Sequence, residues 1–226
     1  MNEKLTEIEF RARSVKLDPE ALVAIGGVYQ AAFAGEPWYE VSRCAAPERK
    51  LEVCPGGLSP LEIGAFCTAC GLCPMAEAYP SEELTTSLSD TLADPTAQLY
   101  LEREGTELLL AAIFWEATPK EIADRKYKDV PEMENWLSGK LPDEPVVWMD
   151  EIFANKRKRA TGNLWNYRAM IEKGIANASS GIVAFRTINQ GLLKKTKTEF
   201  PAISTIVPGT DLPDTRNRNF IIIDAR

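Results

Sequence analysis

Apolar segments divide the chain from Ala97 onward into strands and helices. The segments QLYLERE and ELLLAAIFWEA flank Gly105 and predict an antiparallel hairpin. The segment 145–154, PVVWMDEIFA, is mostly apolar, which is typical of a central strand. Apolar residues then recur at helical spacing from Leu164 to Ile175, and GIVAFRT follows as another strand. This order predicts a β-α-β unit whose helix packs on a sheet.

Shorter patterns extend this α/β organisation. Asp18 is a typical helix cap and Pro19 a typical first residue, so a helix is predicted over 18–34. The remaining predicted elements are helices at 81–94, 119–127, 132–137 and 189–200 and a closing pair of strands at 202–207 and 217–225. Residues 41–80 have little periodicity and contain all 5 cysteines. We therefore predict a single domain over 1–226 with a cysteine-rich insertion at 41–80.

The composition is that of an ordinary globular domain with an acidic balance. Of the 226 residues, 45% are hydrophobic and 26% charged, and the formal net charge is −7. This acidity argues against general nucleic-acid binding, which depends on neutralising phosphates. The first residues, MNEKLTEIEF, hold no apolar signal region, and no segment approaches the ~18 apolar residues of a membrane span. We expect a cytoplasmic protein without a nucleic-acid or membrane partner.

The absence of histidine removes several common mechanisms. With 0 histidines, Ser-His and Cys-His nucleophile pairs, histidine metal ligands and imidazole bases are all excluded. Proton transfer must therefore use carboxylates, phenols, thiols, lysines, water or the substrate itself.

Positive charge is concentrated where the strand 145–154 meets the following helix. Lys156 to Arg159 form an uninterrupted basic run, and Gly162 follows shortly before the predicted helix. Backbone N–H groups at a helix start, a close-approaching glycine and basic side chains together suit a pyrophosphate. A merely solvated basic turn is the alternative on these grounds.

The same segment resembles a motif of the GNAT acetyltransferases. Residues 159–164, RATGNL, are similar to their acyl-CoA-binding motif, Arg/Gln-x-x-Gly-x-Gly/Ala. Residues 150–154 occupy the place of the family's central strand, and 185–187 with Asn189 resemble the next strand and the asparagine that often follows it. Residues 29–38, YQAAFAGEPW, are similar to a first-helix segment ending in Phe-x-x-x-Pro-Trp. The resemblance covers about 1–40 and 97–226.

The resemblance implies a mixed, mostly antiparallel sheet, splayed at its central strand and flanked by helices. Acetyl-CoA would bind in the opening of the sheet. Its pantetheine arm would contact backbone groups of Ile152, Phe153 and Ala154, and its phosphates would contact Lys156 or Arg157 and the N–H groups of Arg159, Ala160, Thr161, Gly162, Asn163 and Leu164. Asn189 completes the implied cofactor-binding residues.

The resemblance also implies an N-acetyltransferase that moves acetyl from acetyl-CoA to an amine of a small molecule or protein. Two departures favour an alternative, a non-catalytic CoA-binding or zinc-stabilised interaction module on the same scaffold. Leu164 stands where the family prefers Gly or Ala, and the tyrosine acid of the last helix has no counterpart, Thr196 lying near its place. The acceptor is not indicated, and the oligomeric state is open, with a homodimer among the alternatives.

Two adjacent carboxylates are the candidate catalytic residues. Asp150 and Glu151 lie in a mostly apolar strand, where their side chains are predicted to point to opposite faces. Burial would raise a carboxyl pKa towards neutral pH, but ion-pair networks also perturb buried carboxylates, and simple pairing with a neighbouring Arg is the alternative that takes precedence for each residue singly. Glu151 is the first choice of base because its position matches the family's strand. Glu36 and Glu40 are weaker candidates for contacting a cationic substrate.

The cysteines predict a structural zinc site. Cys67-Thr-Ala-Cys70-Gly is similar to a zinc knuckle, and Cys44 and Cys54 would complete four thiolate ligands, leaving Cys73 as the spare. The run Cys-x2-Cys-x2-Cys-Pro also resembles iron–sulfur ligation. Buried thiols without any metal are the third alternative.

Overall fold

The computed structural model describes residues 7–12, 15–34, 40–45, 58–59, 61–71, 73–160, 166–214 and 217–226. Its strands are β1 (Glu7–Ala12), β2 (Ser42–Cys44), β3 (Leu58–Ser59), β4 (Met75–Glu77), β5 (Gln98–Glu104), β6 (Glu107–Ala117), β7 (Val146–Ala154), β8 (Ile182–Thr187), β9 (Ser204–Val207) and β10 (Asn219–Asp224). Its helices are α1 (Pro19–Phe33), α2 (Ser81–Leu92), α3 (Pro119–Lys126), α4 (Glu132–Ser138), α5 (Lys156–Ala160), α6 (Tyr167–Ala176) and α7 (Gln190–Glu199).

The main sheet runs in the order β1-β5-β6-β7-β8-β10-β9. Its neighbouring strands are antiparallel except β7 and β8, which are parallel. β5 and β6 form the predicted hairpin around Gly105, whose φ of 59° favours glycine. β1 is an edge strand that the sequence patterns do not predict. The predicted mixed, mostly antiparallel sheet is confirmed.

Helices cover both faces of this sheet. On one face, α6 and α7 pack over a core that includes Phe114, Val147, Met149, Tyr167 and Phe185. On the other face, α1 and α2 pack over β5 and β6, while α3 and α4 enclose Trp115 and Trp148. The central strand β7 is therefore covered on both faces, so charged side chains on it lie in low-dielectric surroundings.

Local sequence determines where the helices near β7 begin. Asp18 Oδ1 accepts the N–H of Ala21 at 2.7 Å, which confirms the predicted cap of α1. Thr118 and Glu121 form a capping box at the start of α3. Because α3 begins at this capping box, its last residue, Lys126, lies beside β7.

Residues 41–80 contain a second sheet, in which β2 lies between β3 and β4 and is antiparallel to both. Contacts that join this region to the helices include Gln30 Nε2, which donates to the Tyr79 carbonyl at 2.6 Å, and Arg43, which pairs with Glu83 at 2.7 Å. The small sheet is thereby held against α1 and α2.

The basic segment after β7 differs from its prediction. It is predicted as a tight turn, but Lys156–Ala160 form the short helix α5. The next described helix, α6, begins at Tyr167, and residues 161–165 lie outside the described residues. Among the described residues, no helix is long and apolar enough to cross a membrane.

Candidate active site

The sheet opens between the parallel strands β7 and β8. Among the described residues, their pairing is limited to Val147–Trp148 with Val183–Ala184. Beyond this point β7 pairs with β6 as far as Ala154, and β8 pairs with β10 as far as Thr187. The two strands therefore diverge towards their carboxyl ends, which is the splayed central strand that the resemblance implies.

The edge of β7 that borders this opening is formed by the backbone of Ile152, Phe153 and Ala154. Pairing with β6 uses the opposite edge of the strand. Among the described residues, β8 does not continue the ladder along this edge. An extended ligand with amide groups, such as a pantetheine arm, can add to an open strand edge in the way that a peptide does. The implied backbone contacts have a place in the fold and stay a prediction.

A β-bulge in β7 determines the directions of the two candidate carboxylates. Met149 pairs with Phe114 and Glu151 with Ile113, so Asp150 is an extra residue in β7. The bulge lies where β7 parts from β8. It places both carboxylates at the mouth of the opening.

The bulge also makes the prediction of opposite faces wrong. In an uninterrupted strand Met149 and Ala154 would point to opposite faces, but both lie in the core beneath α6 and α7. The extra residue shifts the alternation, so Asp150 and Glu151 both fall on the other face. Lys126 of α3 contacts Asp150 there.

Asp150 is fixed by two neighbours. Lys126 Nζ forms a salt bridge with its Oδ1, and Trp148 Nε1 donates a hydrogen bond to the same oxygen at 3.2 Å. The side chain is 7% exposed. Asp150 is therefore a positioned negative charge beside Glu151.

Glu151 has the environment expected of a general base at neutral pH. Burial, and then the charge of Asp150, raise the pKa of its carboxyl from 4.5 to about 8. Lys126 and Arg186 oppose this shift because they favour the charged form. Glu151 nevertheless keeps partial contact with solvent. Water can therefore reach this residue.

Three further polar side chains form what we call the acceptor wall: Tyr29, Glu40 and Tyr79. The Tyr79 hydroxyl donates a hydrogen bond to Glu40 Oε2. Burial raises the pKa of Glu40, and burial followed by the charge of Glu151 raises the pKa of Tyr29. With the two carboxylates of β7, the acceptor wall makes an acidic, partly buried surface suited to a cation.

Sequence reasoning located only part of this wall. Glu40 is one of the two weaker candidates, and Glu36 lies outside the described residues. Tyr29 and Tyr79 were missed because they lie on α1 and just after β4, far from β7 in sequence. The Tyr29 ring packs edge-on against Phe153, with centroids 5.1 Å apart. That contact depends on tertiary packing and leaves no signal in the sequence.

Two residues of the basic run are engaged with carboxylates. Lys158 is 7% exposed, and its Nζ lies 2.5 Å from Glu102 Oε2. Arg157 pairs with Glu104 and, at 3.3 Å, with Glu107. Part of the positive charge gathered here therefore balances acidic residues of β5 and β6.

The other implied phosphate contacts lie at or beyond α5. Lys156 is exposed at its start, and Arg159 and Ala160 are its last residues. Thr161, Gly162, Asn163 and Leu164 lie outside the described residues. The structure thus describes the approach to the predicted cradle and not its centre.

The residues near the start and middle of α7 have partners within the protein. Asn189 Oδ1 accepts the N–H of Leu192 at 3.1 Å and caps the helix, so a cofactor contact would come from its amide nitrogen. Thr196, which lies near the place of the family's tyrosine, is fully buried. Its Oγ1 lies 2.7 Å from the hydroxyl of Tyr167 on α6. A phenol is therefore present beside this position on a different helix.

The structure gathers a thiol cluster in the predicted insertion. The Sγ atoms of Cys44, Cys70 and Cys73 lie within 4.8 Å of one another. Cys67 packs in the same buried group. Cys54 lies outside the described residues. Cys73, the predicted spare, is therefore one of the three clustered thiols.

No family model matches the sequence, and no curated protein matches it. Solved structures with a similar arrangement include an acetyltransferase of the GNAT family from Streptococcus pneumoniae, which is 11% identical over 96% of this chain and 97% of its own, with a TM-score of 0.44. An apo mutant of an agmatine N-acetyltransferase is 10% identical and covers 95% of this chain and 97% of its own, with a TM-score of 0.47. The polyamine N-acetyltransferase of Drosophila melanogaster is 10% identical over 96% and 98%, with a TM-score of 0.48. These TM-scores are all below 0.5.

Proposed function

We propose that this chain is an N-acyltransferase that moves an acetyl group from acetyl-CoA to an amine of a small molecule or a protein. The observation that carries the proposal is Glu151, a carboxyl with a pKa of about 8 at the mouth of the opening between β7 and β8. A group whose pKa lies near the working pH is suited to accept a proton from an ammonium substrate.

The acidic surroundings support an amine acceptor. Asp150 is a fixed negative charge, and Glu40 and Tyr79 line the approach from α1 and β4. A protonated amine is attracted to these groups, and Glu151 then accepts its proton directly or through water. Acetyl-CoA supplies an activated acetyl group, whose bond to sulfur breaks as the amide bond forms. Water can protonate the leaving thiolate, so a dedicated acid is not required.

Residues of this chain would hold the donor along the opening. The open edge of β7 fits an extended arm, as argued above. The proposed contacts are the backbone groups of Ile152, Phe153 and Ala154 for the arm, and Lys156 or Arg157 with the segment 159–164 for the phosphates. Asn189 is a further proposed cofactor contact. These contacts place the acetyl group near Glu151, and such positioning supplies much of the rate enhancement in acyl transfer.

The test is acetyl transfer to a panel of small amines and lysine peptides, measured by mass spectrometry of the products. The Glu151→Gln variant should lose about 100-fold or more in kcat/KM. The wild-type rate should rise with pH through an apparent pKa near 8. With the same amine, the Glu151→Gln variant should not show this rise. The comparison separates the titration of Glu151 from that of the amine itself. The matched control is Glu132→Gln, an exposed carboxyl on α4 that should change neither quantity.

Two results would contradict this proposal. Equal activity of the wild type and Glu151→Gln would remove Glu151 from the chemistry. Binding of acetyl-CoA without transfer to any acceptor would instead favour the non-catalytic CoA-binding module.

A further inference from the structure

The thiol cluster of the small sheet has the spacing of a metal site. The Sγ atoms of Cys44 and Cys70 are 3.9 Å apart, and Cys73 lies within 4.8 Å of both. The sulfur atoms of a disulfide are only ~2.05 Å apart. Two thiolates bound at ~2.3 Å to one tetrahedral zinc ion lie about 3.8 Å apart. The observed spacing therefore matches thiolates that share one metal ion.

Backbone hydrogen bonds shape the turn that carries these thiols. Cys67 N donates to the Cys73 carbonyl at 2.9 Å, and Gly71 N donates to the Cys67 carbonyl at 2.8 Å. Gly71 has a φ of 66°, in the left-handed region that favours glycine. These bonds bring Cys67 beside Cys73, and Cys44 approaches from β2. A turn of this kind can present several thiolates to one centre.

Cys67 is the best-placed fourth ligand in the described part of the chain. It is 2% exposed and packs in the same group as Cys44 and Cys73. With Cys70 it forms the Cys-x2-Cys unit that zinc knuckles use. Its Sγ is not among the three that lie within 4.8 Å of one another, so binding the same ion requires its side chain to turn towards them. Cys54 is then not needed to complete the site.

We propose that Cys44, Cys67, Cys70 and Cys73 bind one structural zinc ion. The chain has 0 histidines, so an all-thiolate set is the natural one for zinc here. The buried apolar group around the site is small, consisting of these thiols with Met75 and Leu61 at its edge. A metal supplies the folding free energy that so small a core lacks. An iron–sulfur cluster holds at most two thiolates on any one iron atom, so three Sγ atoms within 4.8 Å of one another fit it less well.

The zinc ion also bears on the acceptor wall, a step that rests on the proposed function. Glu40 lies just before β2 and Tyr79 just after β4, and the Tyr79 hydroxyl donates to Glu40. Zinc joins the end of β2 to the turn that leads into β4. Its loss would loosen the contact between Glu40 and Tyr79 without touching the open edge of β7.

The first test is the metal content of the full chain, purified without a chelating resin, by elemental analysis and native mass spectrometry. We expect one zinc ion per chain. After chelation, added Co²⁺ should give the intense visible bands of a tetrahedral thiolate site. A metal-free protein that also fails to bind Co²⁺, or one that carries iron and inorganic sulfide, would overturn the proposal.

The ligand set is tested by single Cys→Ser variants, with Cys54→Ser as the matched control. The variants of Cys44, Cys67, Cys70 and Cys73 should each lose tight zinc binding and the four-thiolate Co²⁺ spectrum, while Cys54→Ser keeps both. Loss in Cys54→Ser with retention in Cys67→Ser would overturn the assignment of the fourth ligand. If a ligand variant does not fold, Co²⁺ titration of the chelated wild type still counts the thiolate ligands, and the unchanged spectrum expected of Cys54→Ser still tests whether Cys54 is one of them.

The consequence for the acceptor wall has its own readout. Chelated protein should bind acetyl-CoA as the native protein does but show a several-fold higher KM for the amine, restored by Zn²⁺. An unchanged KM would contradict the link to the acceptor wall. Metal content and Co²⁺ spectra do not depend on activity, so failure of the proposed function and failure of the zinc site are distinguishable.

Discussion

Adjacent carboxylates in β7 should affect stability with opposite signs. The pKa of Glu151 is raised from 4.5 to about 8 in the folded chain, so the folded state binds this proton more tightly than the unfolded state does. The resulting stabilisation is fully present below about pH 4.5 and is lost as the pH rises through about 8. Glu151→Gln keeps the shape of the side chain and removes the charge. It should therefore stabilise the protein above neutral pH.

The magnitude follows from the shift. One pKa unit corresponds to about 1.4 kcal/mol, so the shift at Glu151 would be worth about 5 kcal/mol if none of it were relieved by solvent. Glu151 keeps partial solvent contact, and the expected gain is about 2 kcal/mol at pH 8.5 and less than about 0.5 kcal/mol at pH 5. Asp150→Asn removes the carboxylate that pairs with Lys126 and should cost about 2 kcal/mol.

Urea denaturation of the wild type and both variants at pH 5 and pH 8.5 measures these changes as free energies of unfolding. Loss of stability in Glu151→Gln at pH 8.5 would refute the assignment of a raised pKa. A change of the same sign and size in both variants would refute the distinct environments of the two carboxylates. A stabilised but inactive Glu151→Gln would be the pattern expected where function is retained at a cost to stability.

Three further changes test other parts of the structure. Lys158→Ala removes the ammonium group that pairs with Glu102, a side chain that is only 1% exposed. The free energy of unfolding should fall by about 3 kcal/mol, and a loss below about 1 kcal/mol would contradict a buried pair. Gly105→Ala should cost about 1 kcal/mol from its φ of 59° alone, since no atom lies within 4 Å of the added Cβ; a much larger loss of thermal stability would reveal a clash. Tyr79→Phe removes the hydroxyl that donates to Glu40. The KM for the amine should rise several-fold while the affinity for acetyl-CoA stays unchanged. A fall in kcat alone would argue against the acceptor wall.

Local patterns in the sequence were sufficient to predict most of the main sheet. The hairpin around Gly105, the strand 145–154 and the capped helix at Asp18 are specified by residues that lie close together along the chain. The edge strand β1 was not predicted because its segment is short and forms a strand only through its pairing with β5.

The site was predictable only in part because its decisive features are long-range. The bulge that turns Asp150 and Glu151 to one face arises from the register between β7 and β6. The burial of Lys158 depends on Glu102 in β5, which is distant in sequence. Likewise, the cysteine spacing did not indicate that Cys73 would lie beside Cys44.

Acetyl-CoA should bind in the opening between β7 and β8 and present its acetyl group to Glu151. Native mass spectrometry of the freshly purified chain with acetyl-CoA tests it most directly. We expect a mass increment of one acetyl-CoA per chain, retained in Glu151→Gln because that residue acts on the acceptor. The absence of any bound acetyl-CoA at high ligand concentration would contradict the account.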